Sequence, residues 1–176
     1  MKKEHLKNYT IDKENGTYTY SGQTYTIVNS DKEIKKIRLY FCIICIINII
    51  FVFALGFKYS KLSNIIFYTL PFVLQLFPLV LIISDIYYMF RFNNKLTKVQ
   101  FNKSYLQFKN STKTFIFFSI VTIIGLIYIA ITYHNLHMVI FELSFEIIIL
   151  FLNIMSINFY NKIKFIIKNE TFTEKL

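Results

Sequence analysis

The sequence predicts an all-α integral membrane protein: a four-transmembrane-helix bundle with a small N-terminal cytoplasmic β-meander and a short cytoplasmic helix between spans two and three. Three observations point there. Hydrophobic residues fill 55% of the 176 positions and charged ones only 17%, more apolar surface than a soluble domain of this length needs. The apolar residues gather in four runs, at about 37–57, 65–90, 115–133 and 138–160. Each is close to the ~20 residues with which a helix crosses ~30 Å of hydrocarbon. Finally, of 20 Lys and Arg, eighteen lie before Leu39, between the second and third runs, or after the fourth. Only Lys58 and Lys61 remain for the opposite side, a positive-inside pattern that places both termini in the cytoplasm of a multi-pass protein of the cell membrane.

The same placement of charge speaks against nucleic acid as the partner of a +10 chain, because no recognition fold accompanies it. The chain opens Met-Lys-Lys but stays hydrophilic for more than thirty residues, so the apolar core of a signal peptide is missing.

Residues 1–30 read as the meander. Asn15-Gly16 and Ser21-Gly22 are turn pairs, and Thr17 to Tyr20 and Thr24 to Val28 carry the β-branched and aromatic residues that suit separate strands. Ser30 and Glu33 have the spacing of a capping box, so the first helix should start there and run into the membrane, within a helical domain over 31–161. In that helix Cys42 and Cys45 have the CxxC spacing, but no second pair exists for exchange, and two small residues that aid helix packing are the simpler reading. Asn48 is its one strongly polar residue near mid-membrane.

The second span sets Pro71, Gln75, Pro78, Ile82 and Asp85 four, three, four and three residues apart, one stripe of a helix turning 100° per residue. The connector, 91–114, holds a second capping box at Thr97 and Gln100, with Leu96 and Phe101 at hydrophobic-staple positions. A short helix should follow, its Phe101, Tyr105 and Phe108 forming a face for lipid headgroups or for a cytoplasmic partner. The third span is the least polar, with Ser119, Thr122 and Gly125 as contact residues. His134 and His137 follow near Glu142, but they straddle a turn and lack a further ligand, so no metal is expected. The fourth span repeats the pattern of the second: Glu142, Glu146, Ile149, Asn153, Ser156 and Tyr160 share one stripe. Residues 162–176 read as a cytoplasmic tail. Asn-x-Ser/Thr triplets at Asn8, Asn15, Asn110 and Asn169 all fall on the cytoplasmic side, where they carry no sugar.

Counted from their span ends, Asn48, Gln75 and Glu146 lie at one depth, so they are expected to meet in one intramembrane polar cluster to which Asp85, Glu142 and Asn153 belong. No Lys or Arg shares that depth. A bare carboxylate there costs several kcal/mol, so Glu146 is expected to be neutral unless water or a cation enters. Three functions fit such a seam: interhelical hydrogen bonding alone; an accessory or interaction subunit whose partner is another membrane protein or a second copy; and proton or cation transport along Glu142, Glu146, Asn153 and Asp85. Enzyme signatures are missing: there is no HExxH, no GxSxG, no P-loop and no Gly-rich cofactor turn in a chain with 4 Gly. The chain is therefore expected to be non-enzymatic, to need no cofactor, and to have the lipid bilayer as its surroundings.

Overall fold

The computed structural model describes residues 9–12, 17–57, 66–132 and 136–175. Strand β1 (Tyr9–Asp12) pairs antiparallel with β2 (Thr17–Ile27), from Tyr9 opposite Tyr20 to Asp12 opposite Thr17. Ser30 and Glu33 then close the capping box, the Glu33 amide donating to Ser30 Oγ at 3.3 Å and the Ser30 amide to Glu33 Oε2 at 3.3 Å. Helix α1 (Asp31–Phe57) starts from it. Helix α2 (Ile66–Arg91) runs on through Pro71 and Pro78, both buried.

Strand β3 (Lys95–Thr97) ends in the second capping box: Thr97 Oγ1 accepts from the Gln100 amide, and the Gln100 side chain accepts from the Thr97 amide. The helix that this cap begins, α3, continues over Lys98–Thr132 with one wide π turn at Asn102–Leu106. Helix α4 (Leu136–Asn161) and strand β4 (Phe165–Lys175) complete the chain. All four long helices have the length and apolar composition to cross a membrane. Within the bundle α3 packs between α2 and α4, while α1 leans chiefly on α4.

The strands make one four-stranded sheet. β2 is its central strand, paired along its length with β4, while β1 and β3 take successive parts of its other edge. Since β2 precedes α1, β3 joins α2 to α3 and β4 follows α4, the sheet collects the chain's N-terminal segment, connector and tail at one end of the bundle.

Three expectations are corrected here. Ser21-Gly22 is not a turn: β2 passes straight through it, with Gly22 opposite Glu170, because an eleven-residue ladder to β4 outweighs a local turn preference. The segment read as a tail is part of the sheet, since its residues from Phe165 form that ladder. And no separate short helix sits between the second and third spans, since the helix begun at Thr97 runs without a break to Thr132. Asn15-Gly16, Lys58, Lys61 and His134 lie outside the described residues.

Phe101, Tyr105 and Phe108 are packed inside the protein instead, Tyr105 and Phe108 buried and Phe101 half-buried. Phe101 and Tyr105 are the floor on which the sheet rests. Tyr25 of β2 stacks flat on Phe101 at 4.1 Å, Phe165 of β4 meets Phe101 and Tyr105 edge-on at 5.0 and 5.2 Å, and Phe108 packs against Phe41 of α1 at 4.4 Å. Tyr105 is 0% exposed, and its hydroxyl accepts from Arg38 Nε at 3.0 Å and Nη2 at 2.9 Å. Arg38 Nη2 also reaches Asn94 Oδ1 at 3.4 Å, and Asn94 in turn donates to Asp31 at the start of α1. A guanidinium held by a phenol and an amide thus ties α1 to the connector.

Candidate functional site

The two stripes read from the sequence are the buried faces of their helices. Every member is buried: Pro71, Gln75, Pro78, Ile82 and Asp85 on α2, and Glu142, Glu146, Ile149, Asn153, Ser156 and Tyr160 on α4. The outward faces carry the opposite chemistry. Gln75 and Glu146 are 0% exposed while Phe77 is 68% and Ile131 66% exposed. Only 28–33% of the apolar window of each helix is buried.

Among the described residues the hydrogen bonds of Asn48, Gln75, Asp85, Glu146 and Asn153 fall into separate links. At mid-bundle the Gln75 amide nitrogen on α2 donates to Thr122 Oγ1 on α3 at 3.0 Å and to Glu146 Oε2 on α4 at 3.1 Å. One side chain therefore bridges three helices. Thr122 is free to accept because its own proton goes to the Phe118 carbonyl at 2.9 Å. Toward the sheet, Asn48 on α1 donates to Asn153 Oδ1 on α4 at 3.3 Å, and Asn153 Nδ2 is turned to the Ile149 carbonyl at 2.7 Å. Asp85 on α2 accepts from Ser111 Oγ on α3 at 3.1 Å.

Asn48 therefore meets Asn153 instead of Gln75 and Glu146. Asn153 is seven residues from Glu146 on the same helix, ~10 Å along its axis, so equal depth counted from helix ends did not fix which residues touch. Glu142, one turn beyond Glu146, is also buried. The donor and acceptor contributed by α3, Ser111 and Thr122, are the residues that sequence reasoning underused. Their signal was present: Ser111, Phe115, Ser119, Thr122, Leu126 and Ile129 are spaced four, four, three, four and three, and all are buried.

Among the described residues several oxygens of this seam have no donor in reach: Gln75 Oε1, Glu146 Oε1 and Asp85 Oδ1. All are acceptors next to acidic groups, so a proton or a cation is the chemistry that would satisfy them, whereas a nucleophile or redox centre would not. Cys42 and Cys45 are free thiols on α1, Cys45 buried. Among the described residues no group of three or more His, Cys, Asp or Glu is placed to hold a metal ion.

Comparison with protein-family models, with curated proteins and with solved structures finds no match to this chain.

Proposed function

We propose that the chain is a multi-pass protein of the cell membrane, with its sheet and both termini on the cytoplasmic side, and that it works without catalysis as an accessory or interaction subunit. The observation that carries this reading is the inversion of burial: carboxyls and amides between the helices, Phe, Ile, Leu and Val over the outward faces. In water that outer surface would far exceed the patch a soluble monomer tolerates, whereas hydrocarbon covers it at no cost. Gln75 and the Asn48–Asn153 pair then act as interhelical locks that hold a platform for the sheet. The charge distribution supports this orientation, and the sheet is consistent with it, since strands from the N-terminal segment, the connector and the tail pair on a common side.

Lysines at the sheet end add a boundary. Lys36 lies over the Tyr40 ring at 5.8 Å, Lys109 over Tyr160 at 5.3 Å and Lys162 over Phe159 at 5.1 Å, the arrangement of aromatic bodies and cationic heads that suits a membrane–water interface. Two measurements test the proposal. In a cysteine-free background, Lys61→Cys should react with an impermeant thiol reagent on intact cells and Lys103→Cys should not; the reverse pattern overturns the orientation. Co-purification in mild detergent should bring a partner that stays bound when Glu146 is replaced by Gln.

The unsatisfied oxygens of Gln75, Glu146 and Asp85 support a second reading, proton or cation transport along Glu142, Glu146, Asn153 and Asp85. Flux into liposomes under an imposed potential separates the two. No flux above empty liposomes leaves the subunit reading; a flux that Glu146→Gln abolishes replaces it.

A further inference from the structure

We propose that the cleft between α1 and α4, at the sheet end of the bundle, is a site for one anionic phospholipid whose phosphate lies between Lys36 and Lys162. A cavity of about 230 Å³ opens there. Its floor is the buried Ile37 of α1, and its wall is the ring pair Tyr40 and Phe159, stacked at 4.8 Å. Each lysine lies over one ring of that stack, Lys36 over Tyr40 and Lys162 over Phe159, so two ammonium groups are brought to one opening. Against them the cavity sets one carboxylate. Glu33 Oε2 already accepts from the Ser30 amide at 3.3 Å, and the opening keeps a net positive charge that suits an anion. Asn29 holds this arrangement in place: its side-chain nitrogen donates to the Lys162 carbonyl at 3.2 Å, and its Oδ1 accepts from the Lys164 amide at 2.7 Å. The backbone of Lys162 is thereby tied to the segment that leads into α1.

Position and size select a lipid over a free anion. On α1 the outward residues change from charged to apolar at this level: Lys32, Glu33, Lys35 and Lys36 are exposed, and so are Leu39 and Ile43, which follow them. Steps of three and four put Ile43 on the same face of α1 as Lys36 and Tyr40, and put the half-buried Met155 and Leu152 on the same face of α4 as Phe159. An apolar track therefore leads away from the rings on both helices, where an acyl chain lies when a phosphate sits above it. The cavity is smaller than the about 300–1,000 Å³ of a pocket that encloses a whole drug-sized ligand, so it admits one group of a larger molecule. A free phosphate leaves the apolar track unused, whereas a diacyl phospholipid matches charge and track together. Aromatic rings at the edge of the hydrocarbon and lysines just outside it are where such a headgroup meets a membrane protein. This site rests on the membrane reading above and names a lipid for it.

The test uses the full-length chain purified in a neutral detergent, with phosphatidylglycerol as the probe. Native mass spectrometry should show one such lipid retained, and its addition should raise the thermal midpoint. Lys36→Ser together with Lys162→Ser should weaken that binding roughly 30-fold, whereas Lys36→Arg together with Lys162→Arg should keep it. Lys98→Ser with Lys113→Ser removes the same charge from exposed positions on α3 and should leave binding unchanged. The proposal is overturned if the parent retains no phosphatidylglycerol, or if the α3 variant loses it as fully as the cleft variant does, since net charge alone is then at work. It is overturned too if phosphatidylcholine binds as tightly, because that headgroup needs no surplus cation, or if inorganic phosphate raises the midpoint as much, because the site then takes a free anion. The thiol labelling of Lys61→Cys and Lys103→Cys reads the membrane orientation separately, so a chain that labels as expected and yet retains no lipid loses this site alone.

Discussion

Between the helices Gln75, Glu146, Asn48, Asn153 and Asp85 are withdrawn from the surroundings together with apolar residues such as Ile82, Phe115 and Ile149, and Phe77, Ile131 and Ile66 are left outside. At the sheet end the order is reversed. Tyr105, Phe108 and Leu96 are withdrawn there, and Lys98, Lys103 and Lys162 are left outside. One chain thus follows two burial rules, and the change falls within one turn of helix, between Ser111 and Phe108 on α3. In water, apolar burial is the driving force and charges cover the surface. Where hydrocarbon surrounds the helices, as proposed above, that force is absent, and hydrogen bonds with close packing decide which helices meet. The contrast teaches that aromatic residues hold the cap on, whereas polar residues set the arrangement beneath it.

The comparison breaks most visibly at Tyr105. Tyr105→Ala removes the ring beneath Phe165 and leaves the Arg38 guanidinium without its main acceptor, so a loss of about 3–5 kcal/mol is expected, read as a fall in thermal midpoint of the purified protein. Tyr105→Phe keeps the ring and should lose only ~1–3 kcal/mol. If the two variants melt together, the ring contributes little and the aromatic account of the cap is wrong.

A smaller effect is expected at Glu146. Glu146→Leu strips one acceptor from the Gln75 amide, for ~1–3 kcal/mol, but Thr122 still holds the other side of that donor, which keeps the loss toward the low end. Replacing the whole link, with Gln75→Leu, Thr122→Val and Glu146→Leu together, should recover most of the stability. Groups removed with their partners leave nothing unsatisfied. A triple variant less stable than Glu146→Leu alone would show that the link does more than satisfy itself.

The smallest effect is the coupling of Asn48 to Asn153. A double-mutant cycle with Leu at both positions should return ~0.6 kcal/mol, the usual size for a polar contact between membrane helices, where unpaired groups find other partners. A coupling near zero would remove α1 from the set of locked helices.

Much of this was legible in one dimension because helices carry their own period. Spacings of three and four put Pro71, Gln75 and Asp85, and likewise Glu142, Glu146 and Asn153, on single faces, and both capping boxes announced where α1 and α3 start. Those are local rules, and neighbouring residues suffice to apply them. The strand ladder has no such local origin. Thr17 and Lys175 are partners from the two ends of the chain, and nothing around Ser21-Gly22 indicates that β4 will hold it extended.

The same reason explains the fate of Phe101, Tyr105 and Phe108. The sequence determined by itself that they share a helix face, since that follows from spacing. What covers the face was decided only by the tertiary structure, because the cover, Tyr25 and Phe165, comes from strands near opposite ends of the chain. The polar seam divides in the same way. Which residues turn inward is a property of each helix, but that Gln75 meets Glu146 and Thr122 while Asn48 meets Asn153 depends on how four helices lean and slide against one another, which no single helix contains.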